Sequence, residues 1–188
     1  MKRIAVAVEG ASDKIFWEKV LHRSFARTRF NIRDLKGLQK LLNAAPELYD
    51  TFQDARYDAL FFLVDADDRP CASELRPLFA DRIQPEIARL KSDRWSFLSV
   101  AIRDLESWYL ADPVALEHTV GTSAAALPAK GGKSALMRFM RVSLGRRLGY
   151  DERQFAGKIA VHFEPARARR NSPSFDYFWS CMEAVLAR

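Results

Sequence analysis

The chain has 188 residues, of which 48% are hydrophobic, 12% aromatic and 29% charged, a composition that excludes a disordered tail, a collagenous rod and a membrane bundle and fits a globular protein with one buried core. Its 30 Lys+Arg against 24 Asp+Glu give a formal charge of +6, which favours phosphate-bearing partners, although a generic basic surface has the same signature. The two cysteines, Cys71 and Cys181, stand far apart and near no histidine cluster, so neither a disulfide framework nor a zinc site is expected and a reducing cytoplasm fits best.

Lys2-Arg3 is followed by the apolar run Ile4 to Val8, but Glu9-Gly10 cuts it off at once, too early for a signal-peptide core. No segment approaches the length of a membrane span, so no membrane partner is expected. A short run that is apolar throughout predicts a strand buried on both faces of a parallel sheet. Ile15, Phe16, Val20, Leu21 and Phe25 then repeat at helical spacing, with Ser12 or Asp13 able to cap the first turn. Arg29 to Arg33 alternates as a second strand, and Leu38, Leu41, Leu42, Ala45, Leu48, Tyr49 and Phe52 predict a second helix with a break near Pro46.

Ala59 to Val64 gives the strongest strand signal and stops abruptly at Asp65-Ala66-Asp67-Asp68. Pro70 can open a helix running through Leu90, kinked or divided at Pro77 and Pro85. Trp95 to Ile102 is a fourth strand, and Leu105, Trp108, Tyr109 and Leu110 belong to a helix that ends at Asp112-Pro113. The repeating strand–helix order predicts an α/β fold with a mostly parallel central sheet over residues 1–112. Beyond it, Gly121 to Gly132 looks like a loop and Leu136 to Leu148 like a basic helix. A second loop carries Arg167 to Pro173, and a terminal helix carries Phe175, Phe178, Trp179, Met182, Val185 and Leu186. Residues 113–188 are thus expected to form a basic, mainly helical elaboration packed on the core, within one domain.

Ligands of open parallel sheets gather at the carboxyl ends of the strands, where two acidic signals fall. Glu9 leaves the first strand with Asp13 about one helical turn on, close enough to share a cation. Asp65 and Asp67 are spaced to leave the third strand on one side, with the small Ala66 between them. Clustered carboxylates repel one another unless a cation intervenes. Mg²⁺ answers with oxygen coordination, using one or two protein carboxylates plus water and substrate phosphate. Asp68, before Arg69-Pro70, suits a cap or a solvated acid better.

Val8-Glu9-Gly10 closing one strand and Asp65-x-Asp67 closing a later one resemble the Toprim fold of topoisomerases, primases and related nucleases. The longer strings narrow the resemblance. Glu9-Gly10-x-Ser12-Asp13, Leu63-Val64-Asp65-Ala66-Asp67, Asp104-Leu105-Glu106-Ser107-Trp108-Tyr109-Leu110-Ala111-Asp112 and Ser172-Pro173-Ser174-Phe175 resemble the Toprim-like family called domain of unknown function 4276, across nearly the whole chain. The resemblance implies Glu9, Asp65 and Asp67 as catalytic residues and Mg²⁺ or Mn²⁺ ligands. Glu9 or Asp13 would serve a second ion, as in nucleases of the overcoming-lysogenization-defect type, and Glu106 would lie near the same cleft. It also implies an AAA- or ABC-type ATPase as partner, in bacterial defence-like operons.

Among the basic residues, Lys133, Arg138, Arg141, Lys158, Arg169 and Arg170 are candidates for nucleic-acid phosphates, since arginine forks suit phosphate oxygens; a solvated helix face is the ordinary alternative. Gly131-Gly132-Lys133-Ser134 is no phosphate loop, because Leu127 stands where that motif needs glycine and no strand precedes it. His22, His118 and His162 have no ligand spacing. Phe175, Tyr177, Phe178 and Trp179 fit a core better than a base-stacking platform, and Tyr109 fits a buried aromatic better than a covalent tyrosine. The leading expectation is a Mg²⁺-dependent phosphodiester hydrolase of nucleic acid, with Glu9 as general base or ligand. The alternative is a non-catalytic nucleic-acid-binding or regulatory partner of the ATPase. A nucleotide-sugar transferase would explain Asp-x-Asp but not Glu9-Gly10.

Overall fold

A computed structural model of the chain describes residues 1–67, 77, 95–101, 104–123, 132–144 and 151–188. Four strands, β1 (Lys2–Val8), β2 (Thr28–Asp34), β3 (Ala59–Asp65) and β4 (Trp95–Ala101), form an all-parallel sheet in the order β2-β1-β3-β4. The apolar runs of β1 and β3 lie at its centre. Ile4, Val6, Val8, Phe61 and Leu63 pack on one face, while Ala5, Ala7, Leu60, Phe62 and Val64 pack on the other. Because successive side chains of a strand point to opposite faces, burial on both sides requires a run without polar alternation.

One face is covered by α2 (Leu38–Asp54), which buries Leu41, Leu42, Ala45, Leu48, Tyr49 and Phe52. It runs through Pro46 without the expected break. The proline costs one backbone hydrogen bond, but the apolar residues on both sides of it share the same buried stripe and hold the helix together.

The other face is larger. It takes α1 (Ala11–Ser24) and, after the sheet, α3 (Glu106–Leu110), α4 (Pro113–Val120), α5 (Gly132–Leu144), α6 (Glu152–His162), α7 (Pro165–Asn171) and α8 (Pro173–Leu186). The core on this face is dominated by aromatic rings. Trp17 stacks on Phe175 at 6.2 Å and meets Phe178 and Trp108 edge-on at 5.0 and 5.8 Å, arrangements that suit the ring quadrupoles. Phe175, Phe178 and Trp179 are buried as expected, and so is Tyr109, whereas Tyr177 is 49% exposed on the outer side of α8. No helix among the described residues is long and apolar enough to cross a membrane.

Several element boundaries differ from the sequence-based expectations. The helix expected to end at Asp112-Pro113 does stop just before it, at Leu110, but Pro113 at once opens a further helix, α4, with Asp112 as the cap accepting from Ala115 N. The segment expected as a loop from Arg167 to Pro173 is mostly α7, opened by Pro165 at its first turn, a position where proline's missing N–H is harmless. The basic helix expected around Leu136 to Leu148 is α5, described over Gly132–Leu144, and its expected continuation to Leu148 lies outside the described residues. α6 was not foreseen; Asp151 caps it and Phe155 and Ile159 anchor it. All but Pro77 of the helix expected after Pro70, and Cys71, Asp68, Arg146 and Arg147, fall outside the described residues.

Candidate active site

β1 and β3 are neighbours in register, Val8 beside Leu63, so the two acidic strand ends come out side by side. Glu9 bridges them directly: its Oε1 accepts from Asp65 N at 2.8 Å. Gly10, extended at φ −133°, precedes α1, and Asp13 Oδ2 reaches back to accept from Gly10 N at 2.8 Å. Asp13 is therefore not itself the cap; from the first turn it holds the strand-to-helix turn shut and aims its carboxyl at the sheet edge.

The third contribution comes from the segment after β4. Asp104 is bound through both oxygens, accepting from Ser107 N at 3.1 Å and from Lys133 N at 2.8 Å. One carboxylate thus caps the first turns of α3 and α5 together. The fit is tight at Gly132, whose φ is +52° and where an added Cβ would stand 2.5 Å from Asp104 Oδ2. Glu106, in the first turn of α3, is 8% exposed, unlike the solvent-facing acids usual on an amphipathic helix.

The electrostatics define the cluster. Burial, then repulsion from Asp13, Glu9, Glu106 and Asp104, pushes the Asp65 carboxyl up to about 9. Asp13 rises to about 7, mainly through burial and despite the Gly10 amide, with Glu106 and Glu9 adding repulsion. Glu106 also rises to about 7, again through burial first, with Asp104 raising it and Lys133 lowering it. Desolvation and like charge both favour the neutral acid, and here they act together.

Asp67 is placed differently from its expected strand geometry. Pairing ends at Asp65 opposite Ala101, Ala66 N bonds Ala101 O at 2.9 Å, and Asp67 sits in a left-handed turn at φ +52°, exposed. Its direction is set by that turn and not by strand alternation.

The donor set, hard carboxylate oxygens crowded at one sheet edge, fits a divalent ion such as Mg²⁺ or Mn²⁺. Among the described residues no three Asp, Glu, His or Cys side chains already enclose a metal position. The fit is thus to an ion held by one or two protein carboxylates, with water and substrate filling the rest, as Mg²⁺ prefers.

The candidate phosphate-binding residues divide into two groups. Lys133 is ion-paired with Glu152 at the rim of the acidic cluster. Arg169 binds Asp176 at 2.6 Å and Glu183 at 2.9 Å, with Ser180 Oγ at 3.1 Å, so its charge is matched on α8. Arg138, Arg141, Lys158 and Arg170 are exposed, Lys158 lying over the Phe155 ring. His118 and His162 stack at 5.4 Å, a contact that their spacing in the sequence did not suggest.

Two of the strings that carried the family resemblance interlock. Asp112 is fully buried; it pairs with Arg167 through bonds of 2.7 and 3.0 Å and also accepts from Glu164 N. Trp108 Nε1 donates to Ser174 Oγ at 2.8 Å, and Asn171 Nδ2 donates to Ala111 O at 2.9 Å. Ser172 Oγ caps α8 through Phe175 N. Their work is to fasten the segment carrying Glu106 to the C-terminal helices. Asp104 and Glu152 had no role assigned from sequence. The double cap and the Lys133 partner join residues far apart in the chain, and the one local signal was Asp104 three residues before Ser107.

The fold and site define an α/β protein with an acidic cluster at the carboxyl edge of a parallel sheet, backed by a helical C-terminal region. The chain belongs to the family described as a domain of unknown function, DUF4276, which it matches over residues 8–183. No curated protein and no solved structure matches it.

Proposed function

We propose that this protein is a Toprim-like, Mg²⁺-dependent phosphodiester hydrolase acting on nucleic acid. The observation that carries the proposal is the convergence of Glu9, Asp13, Asp65 and Glu106 at adjacent strand and helix ends, with Asp13 and Glu106 raised to about 7 and Asp65 to about 9. Such values accumulate where carboxylates await a cation or exchange protons. Glu9, Asp65 and Asp67 are the residues from which the one or two carboxylates on the ion would come, with Asp13 and Glu106 available to a second. A bound Mg²⁺ or Mn²⁺ would supply charge for the phosphodiester and lower the pKa of a coordinated water. Glu9, fixed by the Asp65 amide, is the general base or a ligand, and Asp13, near 7, is balanced to take up or release a proton at neutral pH. Lys133 and the exposed Arg138, Arg141, Lys158 and Arg170 would meet backbone phosphates.

The second reading, a non-catalytic nucleic-acid-binding or regulatory partner of an AAA- or ABC-type ATPase, is favoured by the pairing of Lys133, Arg167 and Arg169 within the chain, which reduces the charge offered to a polyanion. Calorimetric Mg²⁺ and Mn²⁺ titration of the wild type and of the Asp65→Ala/Asp67→Ala variant, with plasmid and single-stranded nucleic acids incubated in parallel, separates the two. Metal binding and cleavage lost together in the variant support the hydrolase. Metal binding without cleavage supports the partner, and absence of metal binding refutes the acidic site.

A further inference from the structure

Lys133 is anchored at its root and held only loosely at its tip. Its backbone N–H is bound by Asp104 and its neighbour Gly132 has no room for a side chain, so the lysine leaves from a fixed point beside the acidic cluster. Its ammonium pairs with Glu152 of α6, and Glu106 and Asp104 act on it as well, all of which raise its pKa. The Lys133 and Glu152 side chains are 44% and 42% exposed, and an ion pair that open to water contributes at most about 1 kcal/mol. A phosphate arriving at the cluster competes with Glu152 for the same ammonium on nearly equal terms.

Resting on the proposed action on nucleic acid, we infer that Glu152 is a positioning residue: it parks the Lys133 ammonium at the rim of the acidic cluster and yields it to a backbone phosphate of the bound strand. Glu152 itself does not touch substrate. A neutral glutamine keeps its size and its place in the first turn of α6, while removing the competitor.

The test is a double-mutant cycle on binding of a labelled single-stranded oligonucleotide, in EDTA and across a salt series, so that no cleavage enters. Glu152→Gln is expected to bind about two- to fivefold tighter than wild type, the worth of an exposed pair. Lys133→Met binds more weakly, with a salt slope lower by about 0.7, the share of one phosphate contact on a single strand. In the Lys133→Met background, Glu152→Gln should change nothing. Tighter binding by Glu152→Gln that persists without Lys133 overturns the inference, because it would reflect general loss of negative charge. Unchanged or weaker binding by Glu152→Gln, or no oligonucleotide binding by any form, also overturns it. Cleavage assays with Mg²⁺ run separately: a cycle that behaves as expected without cleavage sustains the positioning role while removing the hydrolase, and cleavage without coupling does the reverse.

Discussion

Replacing Asp65 by asparagine should stabilise the metal-free protein, increasingly so as pH rises. The carboxyl moves from an ordinary 3.8 to about 9 on folding, so between those values the folded state holds a proton that the unfolded chain releases. Stability must therefore fall as pH rises through that window. At 1.36 kcal/mol per pKa unit, the cost attached to Asp65 is about 2 kcal/mol at pH 5 and about 4 kcal/mol at pH 7. Asparagine keeps the shape and does not titrate; because Asp65 is already protonated in the fold at these pH values, the substitution leaves the charge around Asp13 and Glu106 unchanged. The gain falls short of the full cost, because a buried amide keeps a desolvation cost of its own. At about 2–4 °C per kcal/mol for a chain of this size, thermal unfolding in EDTA should occur roughly 5–10 °C higher in Asp65→Asn at pH 7 and less than half as much higher at pH 5. Calorimetry at the two pH values measures this directly. A shift independent of pH, or a less stable variant at pH 7, would refute the assignment of a strained, like-charged cluster at this sheet edge.

Mg²⁺ or Mn²⁺ should raise the unfolding temperature of the wild type more at pH 8 than at pH 6, since the ion binds carboxylates that protons otherwise occupy, and should leave Asp65→Asn nearly unmoved; thermal scans with and without the ion check both. Gly132→Ala should cost about 1–3 kcal/mol in urea unfolding, because the methyl collides with Asp104 and the backbone is left-handed there. Asp112→Ala removes the partner of Arg167 and the acceptor of two backbone N–H groups and should cost about 3–5 kcal/mol, visible as a large drop in denaturation midpoint. Ser174→Ala leaves the Trp108 indole N–H without its acceptor and should cost about 1–2 kcal/mol, with a changed near-ultraviolet circular dichroism band.

The central strands were legible because burial on both faces leaves an unbroken apolar run, and the acids that end β1 and β3 were legible because the run stops at them. α6 was obscured by its composition. Its buried stripe is Phe155, Ala156, Gly157, Ile159 and Ala160, three of the five too small to register as hydrophobic, and Gly157 argues against a helix on propensity alone. Its presence makes sense only against α1, where Ile15 and Lys19 lie 3.3 Å from the position of a Cβ and Lys19 Nζ bonds Gly157 O at 2.9 Å. The burial of Glu106 was hidden for a related reason: its spacing between Leu105 and Trp108 is that of any amphipathic helix, and only the packing of the helical region behind it removes it from water. Asp67 shows the opposite limit, since alternation predicts direction only while the strand continues.

The grip of Arg23 on the end of α6 has a consequence for how the chain is made. Its guanidinium holds Ala160 O and Val161 O, 137 and 138 residues downstream, and the aromatic layer under α1 closes only with Phe163, Phe175 and Phe178. During synthesis the first three strands and first two helices emerge long before these partners, leaving Phe16, Trp17 and Phe61 uncovered for some ten seconds at ordinary elongation rates of roughly 5–20 residues per second. The nascent amino-terminal half is therefore the stage at which a chaperone would matter most to this protein.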